Sequence, residues 1–202
     1  MTKYMIKNIV FDFGLVLVDW TPDIGMKLMG FSEDQIRCFK EKIYNGIWEE
    51  YDIRLCTYDQ VIDEFIELVP EYKAEVKVLW DRMELLTEQR EYATRWISEL
   101  KDKGYNVYGL SNFGNVAWEK CKVKYDFVDM LDGYVISAFE QCAKPDQRIY
   151  EKLMDRYGLL AEECLFVDDR LSNVEAAKSL GMQGIVFNSY EQARNEMLRI
   201  CE

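Results

Sequence analysis

The sequence predicts a doubly wound α/β protein, and three observations carry that reading. Short β-branched and aromatic runs recur as buried parallel strands do, helical patterns separate them from about residue 87 onward, and a block from about 20 to 85 breaks the alternation with helices alone. The chain has 202 residues, 49% hydrophobic and 14% aromatic with only 3 prolines, which suits one core carrying an insertion.

Residues 8–13 form the first predicted strand, ending at Gly14 as a buried strand does at a functional edge. In the block that follows, Ser32 with Gln35 and Thr57 with Gln60 are S/T-x-x-Q capping boxes, the second leading into Val61, Ile62, Phe65, Ile66 and Val69. A third helix is expected after Pro70, with Val76, Leu79, Trp80 and Met83 inward. Helices inserted straight after the first strand are expected to cap the carboxyl ends of the strands, where open α/β sheets place their sites. Thr87 is predicted to cap a helix with Ala93, Trp96, Ile97 and Leu100 on its apolar face and Gly104 at its end. Further strands are predicted at 106–110, 134–136, 164–167 and 184–187. Between them, Ile149, Tyr150, Leu153, Met154 and Tyr157 make one helix ending at Gly158, and Val174, Ala177 and Leu180 another ending before Gly181.

Composition excludes several chemistries. With 25 Lys+Arg against 37 Asp+Glu the formal charge is −12, a field that repels phosphate backbones and anionic membranes, and no basic patch interrupts it. The absence of histidine removes Ser-His-Asp and Cys-His triads and His-ligated metals, leaving carboxylates, Lys, Ser, Tyr and Cys. Cys38, Cys56, Cys121, Cys142, Cys164 and Cys201 are scattered with no C-x-x-C, so reduced, mostly buried thiols are expected. The apolar stretch from Met1 to Phe11 is broken by Asp12 and lacks the cleavage site of a signal peptide, and no run approaches the roughly 18 apolar residues of a membrane span. A cytoplasmic location is the expectation.

Four polar clusters fall at or just after the predicted strand ends: Asp12, Ser111-Asn112, Lys144-Pro145 and Asp168-Asp169. Singly, each is an ordinary turn acid, helix cap or solvated lysine. Parallel strands bring their carboxyl ends to one edge, however, so the four are expected to meet there.

On these residues the chain resembles the haloacid dehalogenase-like (HAD) hydrolase superfamily over nearly its whole length. Phe11-Asp12-Phe13-Gly14-Leu15-Val16 is similar to the first motif, Leu110-Ser111-Asn112 to the second, Lys144-Pro145 to the third, and Phe166-Val167-Asp168-Asp169 with Asn173 to the fourth. Val18-Asp19-Trp20, the stretch from Trp48 to Asp52 and the run from Asp168 through Asn173 resemble the subfamily I branch, with a helical C1 cap, that contains glucose-1-phosphate phosphatases and the phosphatase domain of epoxide hydrolases. The resemblance implies a three-layer Rossmann-like parallel sheet with an inserted helical cap. It implies Asp12 as a nucleophile forming an aspartyl-phosphate, Lys144 as a fixed cation, and Ser111 with the Asn112 amide as phosphoryl ligands. It also implies magnesium (Mg2+) held by Asp12, the Gly14 carbonyl and Asp169, with Asp168 in support.

One position departs. Most phosphatases of the superfamily carry a second Asp two residues after the nucleophile, as acid and base, and here Gly14 stands there. Loss of that help costs ~10²–10⁴ in rate, least where the leaving group is already good. Two alternatives follow. In a 2-haloacid dehalogenase Asp12 would attack carbon without a metal, but such relatives carry Tyr and Thr where this chain has Gly14 and Val16, and need a halide-binding cation for which only Arg37 and Arg54 offer themselves. A catalytically impaired regulatory or binding protein would rest on Gly14 alone. Trp48 and Tyr51, with Glu49 and Asp52, are expected to face the site and choose the substrate, with a core aromatic pair and solvated acids as the plainer account; Asp19 is a candidate stand-in base with a structural loop acid as the plainer account, and Trp20 and Trp118 are expected to be packing.

The expectation is thus a catalytic core at residues 1–17 and 86–202, a helical cap at 18–85, and Mg-dependent hydrolysis of a small phosphorylated metabolite, a sugar phosphate among the candidates. The chain is expected to be a monomer or homodimer without nucleic-acid or membrane partners.

Overall fold

Five parallel strands form the central sheet in the order β5–β4–β1–β6–β7: β1 is Asn8–Phe11, β4 Asn106–Ser111, β5 Gly133–Ile136, β6 Cys164–Asp168 and β7 Gln183–Val186. The computed structural model describes residues 5–201, the side chains at 45 and 46 excepted, so the start of the amino-terminal apolar stretch lies outside the described residues. Register is continuous across the centre, Val10 opposite both Tyr108 and Phe166. Because strand side chains alternate, Ile9, Phe11, Val107, Leu165 and Val167 bury one face and Val10, Tyr108, Leu110, Val135 and Phe166 the other.

The helices of the core are α6 (Ala93–Asp102), α7 (Asn115–Cys121), α8 (Ser137–Glu140), α9 (Gln147–Tyr157), α10 (Leu171–Ser179) and α11 (Tyr190–Cys201), following α1–α5 of the insertion. Trp96, Ile97 and Leu100 of α6 join Ala193 and Met197 of α11 on the first face; Ile149, Tyr150 and Leu153 of α9 join Val174 and Ala177 of α10 on the second. The glycines predicted to end helices do so with positive φ, 87° at Gly104, 64° at Gly158 and 99° at Gly181.

The insertion holds α1 (Pro22–Leu28), α2 (Glu33–Phe39), a π-helical stretch Lys40–Ile47 that the sequence did not announce, α3 (Trp48–Tyr51), α4 (Tyr58–Leu68) and α5 (Lys73–Asp81). Both capping boxes form in full, at Ser32 and at Thr57. Trp80 of α5 anchors the block: its ring stacks on Trp48 at 5.9 Å and meets Phe65 and Tyr51 edge-on at 5.0 and 5.1 Å. These rings belong to the same apolar cluster as the first face of the sheet, so insertion and core share one interior.

Two expectations are corrected. Thr87 caps no helix; it opens strand β3 (Thr87–Gln89), and α6 starts at Ala93 after Tyr92. The first residues assigned to the helical cap form strand β2 (Val18–Trp20), which pairs antiparallel with β3, Trp20 opposite Thr87 and Val18 opposite Gln89. Pairing between segments distant in sequence overrode a local capping preference. The chain therefore enters and leaves the insertion side by side on a two-stranded ribbon, continued by Thr21 N–H to Leu86 O and Arg90 N–H to Leu17 O. Of the cysteines, Cys56, Cys121, Cys142 and Cys164 are buried and Cys38 and Cys201 partly so. Among the described residues no helix is long and apolar enough to cross a membrane.

Candidate active site

Strand β1 stops at Phe11 because the chain turns out of the sheet at Asp12, whose side chain is left at the carboxyl edge between β4 and β6. Phe13 fixes that turn: its ring lies over Gly109, where any Cβ would sit 2.2 Å from it, and stacks on Trp118 at 5.4 Å. Trp118 is packing, as expected. Leu15 follows with φ 57°, a left-handed conformation costly for a leucine, so the turn is held under local strain.

A cavity of about 590 Å³ opens above this edge, lined by Asp12, Gly14, Ser111, Asn112, Lys144 and Asp169 among others, so the four motif clusters do meet. At its floor Lys144 Nζ lies 2.8 Å from Asp12 Oδ1 and 2.7 Å from Asp168 Oδ2, all three residues buried. Asp12 Oδ1 also accepts the Phe13 amide at 2.6 Å. Burial disfavours the charge of Lys144, yet Asp12 and Asp168 hold its pKa above the usual lysine range. Burial pushes the Asp12 carboxyl up to about 7 against the pull of Lys144, with Asp168 and Asp169 adding repulsion. Asp169, half-buried, is raised by burial and by Asp168.

Asp168 is fully committed within the protein. Its Oδ1 accepts the Arg170 amide at 2.8 Å and Asn173 Nδ2 at 3.0 Å, while Oδ2 takes Lys144 and Asn173. Asp12, Asp168 and Asp169 offer carboxylate oxygens within 4.8 Å of one another, and Asn173 Oδ1 is buried with no partner. An all-oxygen set with excess negative charge and an orphaned acceptor beside it fits a hard divalent cation.

Lys144 does not follow a strand directly. After β5 the chain makes the single turn of α8 and a left-handed residue at Gln141 before Lys144 arrives. Asn112 places it: Asn112 Oδ1 accepts the Lys144 amide at 2.9 Å and Nδ2 donates to the Lys144 carbonyl at 3.0 Å. The Asn112 side chain is thereby occupied, leaving its main chain to face the cavity. Ser111 is buried and lines the cavity, its hydroxyl without a hydrogen-bond partner among the described residues. Neither residue caps a helix, since α7 begins at Asn115 with Gly114 as its N-cap.

The roof comes from the ribbon and the insertion: Val18, Asp19, Trp20, Trp48, Glu49, Asp52, Ile53 and Thr87 line it. Trp20, expected to be mere packing, reaches the cavity while packing on Trp48 at 5.6 Å. Tyr51, expected to face the site, does not line it; it is fully buried, and its hydroxyl accepts the Ala117 amide at 3.1 Å. Gly114 permits that docking, because a Cβ there would fall 1.8 Å from the Tyr51 ring. Asp19 pairs with Arg90 at 2.8 Å. Arg37 pairs with Asp34, and Arg54 with Glu64, and neither arginine lines the cavity.

Three residues escaped the sequence reading: Arg170 at the cavity mouth, Asn115, and Ser137. Asn115 clasps both the amide and the carbonyl of Cys56 at 3.1 and 2.8 Å. Ser137 Oγ accepts the Phe113 amide at 2.9 Å and donates to the Asp52 carbonyl at 2.5 Å. Only the Arg170 position, beside the acid pair, carried a local signal.

This geometry has counterparts. A profile of the haloacid dehalogenase-like hydrolases matches residues 6–181. The chain is 26% identical to a sesquiterpene phosphatase of Aspergillus oryzae over 179 residues, covering 89% of this chain and 88% of that one. It is 28% identical to a D-ribitol-5-phosphate phosphatase of Bacteroides thetaiotaomicron over 191 residues, covering 89% and 90%. It spans only 37% of a longer relative. In structure it superposes on a HAD family enzyme of Bacteroides thetaiotaomicron, solved with magnesium and inorganic phosphate, with a TM-score of 0.67 at 22% identity over 93% of this chain and 98% of that one. With the profile spanning nearly all of the sheet and its edge cluster, the chain belongs to the haloacid dehalogenase-like hydrolases.

Proposed function

We propose that the protein is a magnesium-dependent phosphatase that hydrolyses a small phosphate monoester through an aspartyl-phosphate on Asp12. One observation carries the reading: Asp12 stands at the floor of an open cavity, its Oδ1 held by Lys144 and the Phe13 amide and its Oδ2 free to attack. Lys144 favours the ionised form of Asp12 against its burial and would offset charge on the phosphoryl group. The Ser111 hydroxyl and the Asn112 amide would hydrogen-bond phosphoryl oxygens. Asp12, the Gly14 carbonyl and Asp169 would hold the magnesium ion, with Asp168 and Asn173 behind them. When bound, the ion would supply positive charge that, together with Lys144, offsets the charge of the phosphoryl group. Attack by Asp12 forms its bond to phosphorus as the ester oxygen departs; water then displaces Asp12 and releases phosphate.

Relatives named as phosphatases support this reaction. Nothing in the roof favours carbon–halogen cleavage, since Arg37 and Arg54 are paired away from the cavity. A purely regulatory role sits poorly with Asp12, Asp168 and Asp169 crowded around one lysine, a costly arrangement without a ligand. We assign residues 18–85 the part of a cap whose Trp20–Trp48 wall selects the substrate.

The test is phosphate release from a panel of polyol, sugar, aryl and isoprenoid phosphates, after chelation and with magnesium restored, beside Asp12→Asn. Release that needs both the ion and Asp12 is expected. Release that survives chelation, or that Asp12→Asn leaves intact, overturns the reading.

A further inference from the structure

Cleaving the phosphate ester of an ordinary alcohol leaves an alkoxide that needs a proton, and hydrolysis of the covalent enzyme needs a base for water. The floor offers no group for either task. Asp12 attacks, both oxygens of Asp168 are taken, Lys144 is shared between two carboxylates, Asp169 is assigned to the ion, and Gly14 has no side chain. Three other carboxylates line the cavity. Asp19 is bound to Arg90 at 2.8 Å and Glu49 is exposed. Asp52 differs from both: it is partly buried, unlike Glu49, and makes no ion pair among the described residues, unlike Asp19, and its carbonyl is fixed by Ser137.

We propose that Asp52, reaching over the site from the cap, is the general acid and general base of this hydrolase; the assignment rests on the phosphatase reading above. Its position is set from several sides. The Gly114 amide hydrogen-bonds its carboxylate, Ser137 Oγ donates to its carbonyl at 2.5 Å, the preceding Tyr51 is docked on the Ala117 amide, and Asn115 clasps Cys56 a few residues on. Phe113 and Gly114 follow directly on Ser111, the last residue of β4, and Asn112, so the acid and the phosphoryl ligands are held in one frame. Burial pushes the Asp52 carboxyl up to about 7, against the Gly114 amide and with Glu49 adding repulsion, and a group in that range gives and takes protons at neutral pH. The charged groups sharing its cavity are Glu49 on its own turn, Asp19 on the ribbon, and Asp12, Lys144, Asp169 and Arg170 at the strand edge.

In the first step Asp12 Oδ2 bonds to phosphorus, the bond from phosphorus to the ester oxygen breaks, and that oxygen takes the Asp52 proton to leave as an alcohol. In the second, Asp52 carboxylate removes a proton from water, the hydroxide bonds to phosphorus, and the bond to Asp12 breaks. Phosphate leaves, Asp12 is again a carboxylate and Asp52 is again protonated.

The experiment compares p-nitrophenyl phosphate, whose leaving group departs without a proton, with phenyl phosphate, whose leaving group needs one more. Wild type, Asp52→Asn and Asp12→Asn are assayed with magnesium present. Asn keeps the shape of Asp52 and an oxygen for the Gly114 amide, so a folded protein is expected, and its thermal transition is checked alongside. Asp52→Asn is expected to lower kcat/KM for phenyl phosphate by about 10²-fold or more while p-nitrophenyl phosphate loses less than about a tenth of that factor. An equal loss on both substrates would show that Asp52 only braces the cap, and no loss on either would remove it from the reaction. Asp12→Asn separates the two readings, since its inactivity on both substrates upholds the phosphatase whatever Asp52 does, and its activity removes that reading first.

Discussion

The floor and the roof of the cavity are built on opposite plans. On the floor charge is concentrated: a lysine between two carboxylates, a third acid beside them, and both oxygens of Asp168 bonded to neighbours. The roof is two indoles, aliphatic side chains and three acids, of which Asp19 is paired with Arg90, Glu49 is exposed, and Asp52 is secured through main-chain bonds to the core. The difference teaches a division of labour. Where phosphate charge must be met, the fold spends its polar groups at the ends of strands; where substrates must be told apart and protons moved, it uses an insertion that can vary without disturbing those ends.

Substitutions break or sharpen that contrast. The largest effect falls on the floor: Asp12→Asn is expected to cut phosphate release by more than about 10³-fold, measured as initial rates with magnesium. Lys144→Ala leaves Asp12 and Asp168 buried without their cation and is expected to cost about 3–5 kcal/mol in denaturant unfolding as well as activity. Moving the acid from roof to floor sharpens the comparison further. Nothing lies within 4 Å of where a Cβ at Gly14 would stand, so adding Gly14→Asp to Asp52→Asn is expected to return about tenfold of the lost phenyl phosphate turnover.

Smaller effects concern stability. Asp52 has its folded pKa raised from 3.8 to about 7, so the folded state holds a proton that the unfolded chain has released, and stability contributed by this group falls as pH rises through that window. Asp52→Asn is therefore expected to melt roughly 2–6 °C above wild type at pH 8, with the gap closing toward pH 4, by calorimetry across pH. Asn115→Ala, which frees the main chain of Cys56, is expected to cost about 1–2 kcal/mol and to raise KM more than it lowers kcat.

The floor was legible in the sequence and the roof in part, since Trp48, Glu49 and Asp52 line the cavity as expected while Tyr51 does not. Parallel strands turn sequence position into spatial position, so Asp12, Ser111 and Asp168 at three strand ends had to share an edge. Lys144 was found with them, although α8 intervenes, because Lys-Pro stood out as a motif. The roof obeys no such rule. Asp52 meets Ser137 across 85 residues of chain, and Tyr51 turned inward onto α7 while Trp20 turned toward the cavity, choices made by packing volume at Gly114 and Trp48. Thr87 failed for a related reason, since the pairing of β3 with β2 is invisible to any local pattern.

That ribbon has a consequence for ancestry. Because Val18–Trp20 and Thr87–Gln89 lie side by side, the core sees the whole insertion as one closed hairpin, and what hangs beyond Thr21 and Leu86 alters neither the register of β1 nor that of β4. The insertion is thus a cassette: a lineage can lengthen, shrink or exchange it in a single recombination event and inherit the catalytic edge intact, provided the newcomer brings its own clasp for the loop at Gly114.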